Sequence, residues 1–499
     1  MTMEEHFDVL VVGAGISGIG AAYHLQTMCP DRSFAILEGR ADLGGTWNLF
    51  KYPGIRSDSD MHTLGFSFKP WTDAKAIADG PSIMKYLRET VSEYGIDSKI
   101  RFNHLVTRAE WSTDEARWTI TATRADSGVE VRYTANFLFM CSGYYSYKEG
   151  YTPHFEGRER FRGLIVHPQE WPDDLDYAGK RVLVIGSGAT AMTIVPAMAD
   201  QAAHVTMIQR SPTYVVARPD NDAISDALRK FLPEKVAYAI TRKKNTVLGS
   251  FFSNRTRTQP DKVRAKILGG VRKALGPDYD VDTHFTPSYN PWDQRMCLIT
   301  NGDLFKAINS GKASVITDHI DTFTATGIRL KSGQEVEGDI IITATGLNLV
   351  TVGDMEFVVD GEVLDFSKVW TYKGIGYSDV PNMMSTFGYI NASWTLRADL
   401  VSGYMCRLLN HMRSIGADIA VPRLRETDRG MEPHRWIEGF SAGYMERFMD
   451  HMPMQGDRVP WTNPQRYELE KKTIGKAPVD DGVMQFTRRR VRETVSASS

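Results

Sequence analysis

The chain has 499 residues, with 59 Lys and Arg against 61 Asp and Glu, a formal charge of −2. At about 150 residues per domain, this length makes roughly three domain-sized units or two large ones, and the charge balance lacks the basic surplus that a nucleic-acid binder needs to neutralise phosphates. Hydrophobic residues at 42% and charged residues at 24% suit a large core and exclude wholesale disorder, and no run of 18 apolar residues is present to span a membrane.

The N-terminus, Met1 to His6, is acidic and runs straight into an apolar strand. It lacks a basic n-region and a small-residue cleavage site, so no secretory leader and a cytoplasmic location are expected. The strand Phe7 to Val12 is followed by Gly13-Ala14-Gly15-Ile16-Ser17-Gly18, then a helix through about Cys29 and a second strand, Phe34 to Glu38. This is G-x-G-x-x-G between a strand and a helix, with an acid 20 residues on. Gly13 allows the tight turn, Gly15 the close approach of a pyrophosphate, and Gly18 close helix packing. Glu38 can accept hydrogen bonds from ribose hydroxyls. The segment Gly44-Gly45-Thr46-Trp47 to Tyr52-Pro53-Gly54 and Asp58 reads as an aromatic, turn-rich loop able to cover an isoalloxazine ring. Leu105 to Trp111 and Arg117 to Thr123 read as a β-meander, and Phe137 to Met140 as a buried strand ending at Cys141-Ser142-Gly143.

The layout then repeats. The strand Arg181 to Ile185 precedes Gly186-Ser187-Gly188-Ala189-Thr190-Ala191, which is G-x-G-x-x-A, then a helix and the strand Val205 to Gln209. No acid closes this strand; Arg210-Ser211 follow it. Arg210 can pair bidentately with a 2′-phosphate and Ser211 can donate to it, which predicts NADP(H) over NAD(H). A helical insertion is expected over about 221–286. Residues 229–273 within it carry 13 Lys and Arg against Glu234 and Asp261, a local charge of +11. Three readings stand: a solvated face lining the substrate entrance, steering of anionic NADPH, or weak contact with an anionic membrane, since basic and apolar residues interleave at Phe251-Phe252 and Ile267-Leu268. Ser314 to Glu335 reads as a second meander, and Ile340 to Ile342 as a strand running into Thr343-Ala344-Thr345-Gly346. Ser393 is expected to cap a helix beginning near Leu396. Arg488 to Ser499 reads as a frayed polar tail. The cysteines, Cys29, Cys141, Cys297 and Cys406, are far apart. That excludes a CxxC redox centre and a local zinc knuckle, predicts no metal, and fits reduced thiols.

Phe161-x-Gly163-x-x-x-His167-x-x-x-Trp171-Pro172 matches the signature of type I Baeyer–Villiger monooxygenases, and Gly44-Gly45-x-Trp47 with Tyr52-Pro53-Gly54 and Asp58 matches their longer one. Along most of its length the chain resembles that family, and in the segments Tyr52 to Asp60, Tyr289 to Arg295, Asn301 to Phe305 and Asn391 to Thr395 its ethionamide-activating subgroup. The resemblance implies an α/β fold of two doubly wound, Rossmann-like dinucleotide-binding domains in a disulfide-reductase-like arrangement. FAD would occupy 1–150 with 346–499, and NADP would occupy 151–345. It implies NADPH-driven reduction of FAD, capture of O2 as a C4a-peroxide, and conversion of ketones to esters or lactones, with S-oxygenation of sulfides and thioamides as a side activity. It further implies that Arg295 is the fixed cation of the reaction and Asp58 its partner. Read from the residues alone, Arg295 is expected to form a surface ion pair with Asp293, and Asp58 could be a loop cap. The resemblance implies that the positive end of the helix after Ser393 is aimed at the flavin pyrimidine. The resemblance also assigns Ser17, Gly45, Thr46, Trp47, Asn48, Leu49, Arg56, Ser57 and Val106 to cofactor binding, and Phe161, Gly163, His167 and Trp171 to an interdomain linker. Gln294 stands where many members have Lys beside the 2′-phosphate, which leaves more of that charge to Arg210. An N- or S-oxygenating flavin monooxygenase is the nearest alternative enzyme, though Trp171-Pro172 departs from its signature. A flavin-binding redox sensor is the alternative non-enzyme.

Overall fold

A computed structural model describes residues 4–489; the polar tail beyond Arg489 lies outside the described residues. The first glycine turn opens a nine-stranded sheet. The strand Glu5–Val12 runs parallel between Phe34–Leu37 and Glu130–Met140. All four residues of Phe34–Leu37 are buried, the continuous apolar run expected of a strand covered on both faces. The meander His104–Ser112, Arg117–Arg124 and Glu130–Met140 extends the sheet antiparallel. Glu356–Val359 and Met383–Ser385 return from much later in the chain to join it.

A second sheet is all parallel, in the order Ala313–Thr317, His204–Gln209, Arg181–Ile185, Ile340–Thr343, Leu164–Val166. This corrects the second meander. Ser314 to Thr317 pairs with His204–Gln209, because its alternate residues Ala313 and Val315 are buried in the second core. The antiparallel turns are confined to Ile320–Phe323, Gly327–Leu330 and Glu335–Glu337.

The chain crosses between the sheets twice. The crossing strands Tyr145–Gly150 and Leu347–Leu349 pair antiparallel, with Leu347 opposite Gly150 and Leu349 opposite Tyr145. His167 closes the end of this ribbon. Its Nδ1 accepts from the Gln169 N–H at 3.2 Å, so its Nε2–H donates to the Gly346 carbonyl, also at 3.2 Å. A Cβ on Gly150 would lie 1.8 Å from the imidazole, so only glycine fits there. Burial pushes the His167 pKa below its ordinary value.

The insertion forms four helices, Ala223–Phe231, Glu234–Thr258, Pro260–Leu275 and Val281–Phe285. It is anchored on the first sheet's side. Arg242 donates to the carbonyls of His62, Thr63 and Gly65, the Tyr238 hydroxyl donates to Phe66 O at 2.9 Å, and Arg229 donates to Trp71 O at 2.6 Å. No helix among the described residues is long and apolar enough to cross a membrane.

Candidate active site

Between the two sheets lies one cleft of about 1260 Å³. A drug-sized ligand needs roughly 300–1,000 Å³, so the volume suits more than one ligand. Both glycine turns open onto it. At the first, Gly13 has φ 103°, and a Cβ there would lie 2.6 Å from the Cys141 carbonyl oxygen. A Cβ on Gly18 would lie 1.9 Å from the Gly13 carbonyl oxygen, so Gly18 lets the helix Ile16–Met28 pack onto the turn. Gly15 caps that helix, and its uncommitted amides meet the cleft beside Gly45, the arrangement that receives a pyrophosphate. Glu38 is buried, and burial raises its pKa. Its Oε2 accepts from the Ala14 N–H at 2.7 Å and its Oε1 from the Arg40 N–H at 3.0 Å. Each oxygen keeps a further lone pair for a hydroxyl donor. Ser17, Thr46, Trp47, Arg56, Ser57 and Val106 also line the cleft. These residues fit an FAD.

At the second turn, Gly186 has φ 129° and the helix Ala189–Met198 begins after Gly188. Ser187, Gly188, Ala189, Thr190, Arg210 and Ser211 line the same cleft. Arg210 is exposed and in no ion pair among the described residues, so its guanidinium is available to a phosphate. The Ser187 hydroxyl donates to the Ser211 carbonyl at 3.0 Å, which fixes the turn against the strand end. This turn fits an NADPH.

Several expected residues do not reach the cleft wall. Asn48 donates its side-chain amide to Asp42 at 2.9 Å, because Thr46–Leu49 winds into one helical turn rather than an irregular loop. Leu49 packs on the second core, Ala191 is buried within it, and Gly18 acts through packing alone. Of the residues expected in the interdomain linker, Phe161 is buried in a cluster with Leu183, Phe323 and Ile341, Gly163 lies against the Asp339 carbonyl, and Trp171 packs on the second core. Ser393 stands at the N-cap of its helix, Trp394–Ile415, but makes no side-chain capping bond. Its hydroxyl meets that of Thr63 at 2.6 Å.

The loop after Gly45 joins the two units. Phe50 and Tyr52 are buried in the second core. Gly54 has φ 77°, and a Cβ there would lie 2.7 Å from the Ala197 methyl, so the Tyr-Pro-Gly motif is an interdomain contact. Arg56 pairs with Asp303 at 2.5 Å across the same boundary. Asp58 follows, and both Nη2 and Nε of Arg295 donate to its Oδ2, at 2.9 and 3.2 Å. Asp293 is not the partner of Arg295. Its Oδ2 accepts from the Asn290 N–H at 3.0 Å and closes the turn that precedes the arginine. The Arg295 side chain is 36% exposed, toward the cleft. Desolvation opposes its charge, but the Asp58 carboxylate together with Tyr444, Tyr145 and Tyr144 outweighs this and strengthens its hold on the proton.

An aromatic group faces Arg295 that the sequence reading missed. Tyr144, Tyr145 and Tyr444 line the cleft with it. The Tyr144 and Tyr145 hydroxyls meet at 2.7 Å. Tyr144 stacks on Trp394 at 5.4 Å, and the Trp394 indole N–H donates to the Ser17 hydroxyl at 2.7 Å. Burial pushes the Tyr444 phenol up to about 12. Its segment is tied to the arginine loop, since the Ser441 N–H donates to Asp293 O at 2.6 Å. The position of Tyr144-Tyr145 directly after Cys141-Ser142-Gly143 was the available signal, because residues beyond the end of a parallel strand line the cleft.

Residues 7–228 match the family model described as flavin-binding monooxygenase-like. The chain is 52% identical over 488 residues to the FAD-containing monooxygenase EthA of Mycobacterium tuberculosis, covering 98% of this chain and 99% of that one. It is 46% identical to the probable FAD-binding monooxygenase AlmA of Acinetobacter baylyi, covering 98% and 97%. Among solved structures, the fold resembles an oxidized steroid monooxygenase bound to NADP, with TM-score 0.79 and 24% identity over 97% of this chain and all of that one. It also resembles an open cyclohexanone monooxygenase, with TM-score 0.69 and 21% identity over 84% and 90%.

Proposed function

Since this chain belongs to the flavin-binding monooxygenase-like family of FAD-containing monooxygenases, we propose that it uses NADPH and O2 to insert one oxygen atom into small ketones, giving esters or lactones, and that it oxygenates sulfides as a side activity. FAD is assigned to the unit built from 1–150 and 346–499, NADPH to 151–345, and the site of action to the cytoplasm.

When bound, FAD and NADPH supply hydride transfer and the activation of O2. The protein binds and orients them. Gly13 and Gly15 with the helix Ile16–Met28, and Gly186 and Gly188 with the helix Ala189–Met198, offer amides to two pyrophosphates. Glu38 accepts from a ribose, and Arg210 meets the 2′-phosphate. Arg295 holds a permanent positive charge inside the cleft. Asp58 fixes its direction, and Tyr144, Tyr145 and Tyr444 crowd out water around it. Negative charge that develops on oxygen during the transfer meets a preorganised cation. One such donor contributes about 3–4 kcal/mol to the transition state.

The observation that carries this reading is the Arg295–Asp58 pair, held in the cleft that both glycine turns share. In the holoenzyme, Arg295→Ala is expected to retain NADPH-dependent flavin reduction in part and to lose ester formation, with ester scored by gas chromatography and NADPH consumption measured alongside. Ester yield within twofold of the parent enzyme would refute the assignment.

A further inference from the structure

Seventeen large hydrophobic side chains are exposed among the described residues, and eight belong to the helical insertion: Ile224, Phe231, Val236, Ile240, Val247, Leu248, Phe251 and Phe252. Scattered apolar exposure is ordinary, but concentration in one element is not. On the helix Glu234–Thr258 the exposed residues have a regular spacing. Val236, Ile240, Val247 and Phe251 are separated by 4, 7 and 4 positions, which puts them along one stripe at 3.6 residues per turn. The stripe runs over about 22 Å at 1.5 Å per residue. Ala237, Tyr238, Thr241 and Thr256 bury the opposite face. Phe231, 85% exposed, ends the preceding helix.

The charge around this stripe is predominantly basic, although Glu234 and Asp261 are also exposed at the starts of their helices. Lys230, Lys235, Lys243 and Arg257 are exposed on the same two helices, and Lys262, Lys266 and Lys273 on the next. None of the seven is in an ion pair or hydrogen bond recorded among the described residues, whereas Arg229 and Arg242 are consumed in anchoring the insertion and Lys244 pairs with Asp222 inside it. The same helix reaches the cleft. The Asn391 amide donates to the Ser253 hydroxyl at 3.4 Å, and the adjacent Ala392 lines the cleft.

From this stripe and its unpaired cations, we infer that the outward face of Glu234–Thr258 docks on an anionic lipid bilayer. A protein partner would need a matching acidic and apolar surface. A bilayer with anionic headgroups supplies both at once: acyl chains receive the stripe and headgroups receive the lysines. Phe251 is suited to the boundary, since Arg255 lies over its ring at 5.4 Å and keeps the cation at headgroup level while the ring enters.

Sedimentation of the FAD-loaded enzyme with vesicles tests this. Vesicles of phosphatidylcholine with one-quarter phosphatidylglycerol are expected to carry the enzyme down at low salt and to release it as salt rises, while pure phosphatidylcholine leaves it in solution. The double substitution Val247→Asp with Phe251→Asp is expected to weaken vesicle binding by tenfold or more. Its flavin absorbance and its turnover of a water-soluble sulfide should stay unchanged, which separates failure here from failure of the proposed activity. Equal behaviour on the two vesicle types, no binding to either, or an unaffected double variant would overturn the inference. So would a fall in the solution mass of the double variant, because the stripe would then be the contact between two copies of the chain.

Discussion

Arg295 places two nitrogens on a single oxygen of Asp58, Oδ2, across 237 residues of sequence. The carboxylate comes from the loop whose Tyr52 and Gly54 pack on the second unit, and the guanidinium from the loop held by Ser441. The pair therefore forms only when the two units are docked. Asp58→Asn keeps the shape and removes the charge. It is expected to keep FAD bound and lower kcat for ketone oxygenation by about 10²-fold, as read by steady-state kinetics with flavin content as the control.

Arg210 stands alone at its strand end. Arg210→Ala should raise KM for NADPH by roughly 10-fold to 100-fold, while KM for NADH changes little, because a bidentate phosphate contact is lost and nothing else. Parallel titrations with the two nucleotides check this.

The Tyr444 hydroxyl faces Arg295, and its segment is bonded to the arginine loop through Ser441. Tyr444→Phe removes the hydroxyl and keeps the ring. The expected result is a fall in kcat of several-fold with flavin content and KM for NADPH unchanged; Ser441→Ala, which removes only the hydroxyl bond to Asp293, should have a smaller effect.

Stability has a different centre. Arg397 and Glu470 are both fully buried, and Nε donates to Oε2 at 2.9 Å. Tyr389, which lines the cleft, donates to the same Oε2 at 2.5 Å, and Asn463 accepts from Arg397 Nη2 at 2.9 Å. Glu470→Ala leaves a buried guanidinium without its anion and is expected to cost about 3–5 kcal/mol, as measured by denaturant unfolding with FAD bound. The double change to Met at both positions should recover much of that loss.

Burial lowers the pKa of His62, His167 and His284 in the folded chain. The unfolded chain takes up their protons near pH 6.5, while the folded chain does not, so unfolding binds protons. Their contribution is complete above about pH 6.5 and is lost as pH falls toward their folded values. Unfolding midpoints at pH 7.5 and 5.5 should show the loss, and His167→Gln should remove part of the difference.

The two strand–turn–helix units were legible because they rest on local rules. A glycine turn after an apolar strand and before a helix fixes backbone positions, and Glu38 and Arg210 follow at set distances. Arg295 was different. The residues alone favour Asp293 as its partner and only the resemblance points to Asp58; the folded turn at Asn290 excludes the nearer carboxylate. Asn48 was misread for a related reason, and Ser393 stands at its N-cap but turns its hydroxyl elsewhere. A short polar side chain finds whichever neighbour the fold supplies, here Asp42 and Thr63, and spacing does not name it. Tyr444 was missed because it arrives from a strap 149 positions beyond the arginine, without periodicity of its own.

The paired crossing strands, Tyr145–Gly150 against Leu347–Leu349, shape how the halves can move. A lone connecting segment swivels about its bonds. A double ribbon, clamped by His167, gives way mainly by flexing across its flat face and resists torsion. Opening for nucleotide exchange should therefore follow the path of a door on its leaf, so that each return brings position 58 back to 295 without a search.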